Sequence, residues 1–390
     1  MIYLTLGDNY SGIYASQVIG VCKYLNTISS KPVRLISFIA IPLYRDNRKK
    51  IKAAYPEAIV LPAVPKVRNW ALNYYLLRMV LWFIPEKRIM ARGPFASLIS
   101  QRLKKVGLVD HVIMDGRGAV HAEWNEYPVV NDKRLVAKSF ELEKQAVLGS
   151  DFRLGVSHKL KDYWTREFQY SGGEHVVVPC TLNKAFIDQT YDVSTIAQRK
   201  AQRGYAPEDV IIIYSGSTAG WQSIQSVDGI LTSLMEAQDN VHVLFLSRIE
   251  LERLTCYQKF PDRVKKDWLK PHEVFEVLTI GDYGVLIRES SVTNEVASPT
   301  KFGEYLAAGL RVLISPGIGD YSEMVKSSNL GKLVKTHSVL QYLPPTETDE
   351  KLRMRAFALK HFSKSSYREA YLKILGKDKT ASTQKILSKP

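Results

Sequence analysis

The sequence predicts an α/β protein built from two doubly wound parallel sheets, and three observations carry that expectation. Short runs of β-branched and aliphatic residues alternate with helical stretches along almost the whole chain. These runs are nearly continuous instead of alternating with polar residues, as strands buried on both faces require. The alternation comes in two blocks, and 390 residues is too long for one ordinary core and comfortable for two domains.

In the first block, strands are expected at 2–6 (IYLTL), 34–40 (RLISFIA), 58–64 (AIVLPAV), 111–116 (HVIMDG), 151–157 (DFRLGVS) and 175–179 (HVVVP). A turn and the helical YASQVIGVCKYLNTI follow the first strand. The second block repeats the pattern at 209–216 (DVIIIYSG), 240–247 (NVHVLFLS), 283–288 (YGVLIR) and 311–315 (RVLIS). Between the blocks the strand pattern stops at Pro179 and irregular polar residues follow, which places a hinge within 176–192. Residues 349–375 read as two amphipathic helices, and a basic tail follows them.

Hydrophobic residues make up 45% and charged ones 24%, the profile of a soluble globular protein. Cys22, Cys180 and Cys256 are too scattered to build a disulfide or metal pattern, so a reducing compartment is expected. MIYLTLGDNYSG carries no basic leader and reaches turn residues early, so no signal peptide and a cytoplasmic location are expected. The net charge of +15 favours anionic partners: nucleic acid, phosphate-bearing ligands or an anionic membrane surface. Nucleic acid finds no support, because no zinc-finger spacing, heptad-linked basic region or stacking platform is present.

The stretch 68–92, RNWALNYYLLRMVLWFIPEKRIMAR, interrupts aromatic and aliphatic residues with basic ones. Its longest apolar run, Met79 to Pro85, is far short of the roughly 20 residues a spanning helix needs. Two readings stand: a core helix of the first domain, or an interfacial segment on an anionic leaflet. The second would insert Trp70, Tyr74, Tyr75, Trp82 and Phe83, with Arg68, Arg78, Lys87, Arg88 and Arg92 facing lipid.

SPTKFGEYLAAGLRVLIS, 298–315, is the most informative segment. Ser298 is expected as N-cap and Pro299 at N1, with the helix running to Ala308 and Gly309 at C′. Lys301 and Glu304 are then one turn apart on one face, with Phe302 and Leu306 pointing to the sheet. A helix that starts at the carboxyl end of a parallel strand suits a phosphate, and a glutamate one turn deeper can accept from two vicinal hydroxyls. A solvated surface ion pair is the alternative.

This segment resembles the C-terminal signature of GT-B glycosyltransferases of family 4, in which a Ser-Pro-x-Lys-x-x-Glu-Tyr-Leu-Ala-x-Gly run precedes a strand. IIIYSGSTAGWQSIQSV (211–227) and LKPHEVFEVLTIGDYGVLIRE (269–289) are similar to other parts of that family's C-terminal domain. VIMDGRGAV (112–120) and FELEKQAVLGSDFRLGVSHKLKDY (140–163) are similar to its N-terminal domain. The resemblance covers about residues 1 to 375 and implies GT-B architecture, two Rossmann-like domains facing a cleft. The acceptor-binding domain would be 1–181, with helices in 357–390 packing back onto it. The donor-binding domain would be 182–356.

Carried over, the family's chemistry gives Glu304 the ribose hydroxyls. Ser298, Pro299, Thr300 and Lys301 would line the diphosphate and sugar. Pro271, His272 and Glu273 would flank the base, and Gly216 and Ser217 would approach the diphosphate. Gly12, in NYSGIY, matches the loop that closes over the donor. Lys301, Gly12 and Arg117 are the candidate catalytic residues. Two departures accompany the match. Val296 stands where many members have a second glutamate, with Glu295 beside it. Ser217 and Gln222 stand where many have an Arg and a Lys, leaving Lys301, Arg248 and Arg288 as candidate cations for the diphosphate. Asp115 and Arg117 read equally as a buried pair fixing their loop or as a ligand contact, and His121 and His158 read as structural.

The resemblance implies a metal-independent, retaining glycosyltransferase without cofactor, moving a sugar from UDP- or GDP-sugar to a glycan or lipid-linked glycan. Its expected setting is surface polysaccharide assembly at the inner face of the cell membrane. An epimerase acting on a nucleotide sugar is one alternative, and a non-catalytic basic protein bound to a polyanion or membrane is another.

Overall fold

The structure, a computed structural model, describes residues 1–216, 220–270 and 272–376. The chain forms two units: Met1–Pro179 together with the segment from Lys364, and Cys180–Ser363.

Among the described residues, the first unit holds β1 (Ile2–Leu6), β2 (Arg34–Ala40), β3 (Ile59–Ala63), β4 (Arg88–Arg92), β5 (His111–Gly116), β6 (Phe152–Gly155) and β7 (His175–Val177). They pair in parallel in the order β3-β2-β1-β4-β5-β6-β7. The chain winds outward from β1 to β3 and then restarts on the other side of β1. The switch point therefore lies between β1 and β4, where open α/β sheets place ligands.

The stretch 68–92 is not one helix. A 3₁₀ turn at Val67–Leu72 leads into α1 (Asn73–Leu81), and β4 begins at Arg88. Ile89, Met90 and Ala91 are wholly buried, and Ile89 lies opposite Ile2 on one side and Val112 on the other. Three apolar residues between two arginines, directly after an aromatic helix, leave no period of their own to read. Beyond β4, α2 (Gly93–Lys105) and α3 (Lys133–Gly149) complete this part of the unit.

The second unit holds β8 (Val210–Ser215), β9 (Val241–Leu246), β10 (Val264–Asp267), β11 (Tyr283–Leu286), β12 (Arg311–Ile314) and β13 (Gly331–Leu333). They are parallel in the order β10-β9-β8-β11-β12-β13, with the switch point between β8 and β11. β10 (VKKD) and β13 (GKL), unexpected from the sequence, are the two edges; short strands bearing lysine are a common way to blunt an edge. Ile211 and Ile213 face one apolar layer, and Val210, Ile212 and Tyr214 face the other, which includes the helix Ile224–Ala237.

The first layer is formed largely by α4 (Thr300–Ala307), α5 (Tyr321–Ser328) and α6 (Thr348–Phe362). The chain returns to the first unit at Lys364 and not at 357. The reason is packing: Phe362 sits edge-on to both Phe302 and Tyr321, and Met354 and Ala358 are fully buried in the same layer. The final described helix, Arg368–Leu375, lays Tyr371 and Ile374 into the first unit's core, with Tyr371 edge-on to Tyr24. Among the described residues, no helix is long and apolar enough to cross a membrane.

Candidate active site

In the second unit Gly216 lies at the carboxyl end of β8, Arg248 just past β9 and Arg288 just past β11, with Thr300, Lys301 and Glu304 on α4. α4 is fixed from below by Tyr305. Its ring occupies the space over Gly284, where any Cβ would lie 2.3 Å from it, so only glycine fits at that point of β11. The Tyr305 hydroxyl accepts the Ser215 N–H at 2.8 Å, tying the helix to the end of β8 beside Gly216. Burial pushes the Tyr305 phenol far above its usual range, so it stays a neutral hydrogen-bonding anchor.

Tyr305 and Phe302 are both buried in the layer against the sheet, with Tyr305 the ring directly over Gly284. Phe302 stacks on Tyr321, centroids 4.2 Å apart, and points to α5 and α6. Lys301 and Glu304 form an ion pair of 2.8 Å on the half-buried upper face. Glu304 Oε2 is buried, and its contact is this ion pair with Lys301 Nζ.

Ser298 and Pro299 depart from expectation. Pro299 occupies the N-cap position, and Ala308 and Gly309, at φ +85°, close the helix. The buried Ser298 hydroxyl accepts the Cys180 N–H at 2.9 Å and shares a 2.6 Å bond with the Tyr321 hydroxyl. It therefore braces the chain where β7 leads into the second unit and does not cap α4. Thr300, half-buried, opens the helix.

Of the candidate cations, Arg248 is exposed at the end of β9, its guanidinium 4.2 Å over the Trp268 ring at the end of β10. Arg288 is buried; its Nη1 donates to Asn294 Oδ1 at 3.2 Å, and Asn294 Nδ2 donates to the Glu289 carbonyl at 3.0 Å. Val296 is fully buried, and Glu295 is half-buried beside it. His272 is exposed. The Glu273 carboxylate accepts the Lys270 N–H at 2.7 Å, closing the turn before the helix Val274–Thr279. Ser217 and Pro271 lie outside the described residues.

The first unit builds a different cluster at the carboxyl ends of β1, β4 and β5. Asp115, fully buried, is 3.4 Å from both Arg92 and Arg117 and accepts the Tyr3 hydroxyl. Arg92 also reaches Asp8 at 3.3 Å, and Arg117 donates to Gln17 Oε1 at 3.3 Å. Gln17 lies on a π-helical turn, Ala15–Ile19, of the kind that re-aims side chains at functional sites. Gly12 is exposed just before it, in a turn where Ser11 Oγ accepts the Tyr14 N–H at 3.1 Å. Above the loop of Arg117, the helix Val120–Glu126 starts over Glu143, whose buried carboxylate accepts the His121 N–H at 2.8 Å. Desolvation raises the Glu143 pKa to about 7.

The sequence matches no protein-family model and no curated protein. Solved structures are similar to it over their whole length. HepE of Anabaena, in complex with UDP, aligns at 10% identity over 96% of this chain and 99% of its own, with a TM-score of 0.71. The lipopolysaccharide outer core galactosyltransferase WaaB aligns at 12% identity over 96% and 99%, with a TM-score of 0.67. A glycosyltransferase from Rickettsia africae aligns at 15% identity over 97% and 99%, with a TM-score of 0.66.

The fold is GT-B. Within the GT-B frame, Gly216, Arg248, Thr300, Lys301 and Glu304 lie along one sheet edge of the second unit, and Gly12 and Arg117 along the corresponding edge of the first. Sequence reasoning missed Arg92 and its partner Asp8 because β4 went unrecognised, and it missed Gln17, whose contact with Arg117 joins segments far apart in the chain. It missed Trp268 because β10 did. A tryptophan directly after a strand, facing an arginine directly after the neighbouring strand, was the available signal.

Proposed function

We propose that this chain is a nucleotide-sugar-dependent glycosyltransferase. The observation that carries the reading is the Lys301–Glu304 pair, one turn apart at the start of α4, beside the switch point of a GT-B unit. UDP, the ligand in the HepE complex, suits such a place: vicinal hydroxyls for Glu304, and a diphosphate for Lys301 and the first-turn amides. Thr300, Gly216 and Arg248 would complete the diphosphate contacts, and the 269–273 loop would flank the base.

In the reaction the acceptor oxygen bonds to the anomeric carbon as the bond to the β-phosphate oxygen breaks. The acceptor proton leaves with the diphosphate. Among the described residues no carboxylate stands out as a nucleophile, so catalysis is assigned to positioning and to offsetting charge on the departing diphosphate, with the anomeric configuration retained. Gly12 and Arg117 belong to the acceptor-binding unit, and the acceptor is a glycan or lipid-linked glycan of surface polysaccharide assembly at the inner membrane face.

The test is calorimetry with UDP and GDP, followed by incubation with labelled sugar nucleotides and a lipid extract. Nucleoside diphosphate binding should weaken by about 2–3 kcal/mol in Glu304→Ala, the range for charge-assisted hydrogen bonds. Label should move to an acceptor. Unchanged affinity sinks the ribose assignment, interconversion of the donor without acceptor marks an epimerase, and no turnover marks a binding protein.

A further inference from the structure

The segment around α1 carries apolar residues on two faces. The inner stripe, Trp70, Leu77 and Leu81, is buried, with Trp70 5.1 Å from Phe95 and 5.5 Å beneath Arg102. The outer stripe recurs at the same helical spacing: Leu72, Tyr75, Met79, then Trp82 and Phe83. That stripe faces solvent; Tyr75 is 67% exposed, Met79 59%, Trp82 74% and Phe83 81%. A helix apolar all round is ordinarily buried all round, and this one is covered on one side only.

The exposed charged residues of 66–87 are all basic, although Asp132 lines the same recess as Lys66 and Arg68. Lys66, Arg68, Arg78 and Lys87 are exposed. Glu86, the acidic residue of 66–87, is held 2.7 Å from Arg34. A second copy of the chain is a poor occupant, because a two-fold contact through this face would set like charges against one another. An anionic lipid surface matches both features: Trp and Tyr favour headgroup depth, and basic residues favour lipid phosphates.

We infer that α1 lies along an anionic bilayer surface, with Trp82 and Phe83 as the inserted wedge and Lys66, Arg68, Arg78 and Lys87 on the phosphates. This surface is narrower than the sequence suggests: Trp70 is core, and Arg88 and Arg92 belong to β4. What the docking is for, bringing enzyme and lipid-linked acceptor together, rests on the glycosyltransferase reading; the docking itself does not.

The experiment is co-sedimentation of the full chain with phosphatidylcholine vesicles, with and without phosphatidylglycerol, at low and high salt. The wild type should sediment with phosphatidylglycerol vesicles at low salt and be released by high salt. The pair Trp82→Ser and Phe83→Ser should weaken partitioning about tenfold or more, since these side chains bury substantial apolar area in lipid. Arg78→Glu with Lys87→Glu should abolish the preference for phosphatidylglycerol. Far-UV dichroism and UDP calorimetry on each variant separate docking from misfolding. A wild type that fails to bind UDP counts against the donor assignment and leaves the vesicle result standing. Absence of sedimentation, indifference to lipid charge, or an aromatic double variant that sediments like the wild type overturns the inference. So does wild-type self-association in the ultracentrifuge that the double variant loses.

Discussion

The two sheets share a strand order around their switch points, yet they arm their carboxyl edges in opposite ways. In the second unit the charged pair is local: Lys301 and Glu304 sit one turn apart on one helix, partly open to solvent. In the first unit the charged cluster of Asp8, Arg92, Asp115 and Arg117 is assembled from three separate strand ends around a fully buried carboxylate. A local, half-exposed pair is cheap to disrupt. A dispersed, buried one holds three strand ends in register and is costly to break.

Deleting each carboxylate sharpens that contrast most. Asp115→Ala leaves Arg92 and Arg117 beside an empty buried site, and should cost about 3–5 kcal/mol of stability by urea denaturation. Glu304→Ala, at a half-buried pair, should cost about 1 kcal/mol or less. Equal losses would mean that the first unit's cluster is no more structural than the second unit's pair.

Lys301→Ala comes next. If Lys301 offsets charge that develops on the leaving diphosphate, turnover should fall roughly 100-fold or more while donor affinity falls much less. The same turnover should persist in excess chelator, because in this reading Lys301, Arg248 and the amides of α4 carry the charge. Parallel losses of affinity and turnover would make Lys301 a binding residue only.

The same local–dispersed contrast explains what could be read from the sequence. Lys301, Glu304, Phe302, Gly309 and the helix that carries them occupy twelve contiguous residues, so cap, period and stop signals all act within reach of one another. Roles that depend on remote partners could not be read that way. Ser298 looks like an N-cap until Tyr321 and Cys180 claim its hydroxyl. Arg92 looks like lipid-facing charge until β4 sets it against Asp8 and Asp115. β4, β10 and β13 escaped notice because each is short and mixes basic residues with few apolar ones, and sheet neighbours rather than local preference make them strands.

A pH profile probes the buried side of the comparison at a second carboxyl. Glu143 has its folded pKa raised from 4.5 to about 7 by burial. The folded state then binds a proton that the unfolded state has released, so stability is full below about pH 4.5 and declines as pH rises toward 7. Glu143→Gln keeps an acceptor for the His121 N–H and removes the titration. Its stability should be flat across that window and should exceed the wild type's at pH 8 by about 1–3 kcal/mol. Melting temperatures of both proteins at pH 5 and pH 8 decide it, and parallel shifts would show that Glu143 stays ionised.

The smallest expected change in stability is the most discriminating for function. Gly12 has an ordinary φ, and a Cβ built on it meets nothing within 4 Å, so nothing in the free protein requires glycine there. Gly12→Ala should therefore leave stability within about 0.5 kcal/mol, with the modest helical preference of alanine acting in its favour. If the loop closes against a ligand, the added methyl meets that ligand and not the protein. Turnover should then fall tenfold or more at unchanged melting temperature, in contrast to Asp115→Ala, where stability itself collapses. Unchanged turnover would remove Gly12 from the site and leave the carboxyl edge of the first unit to Arg117 and its buried partners.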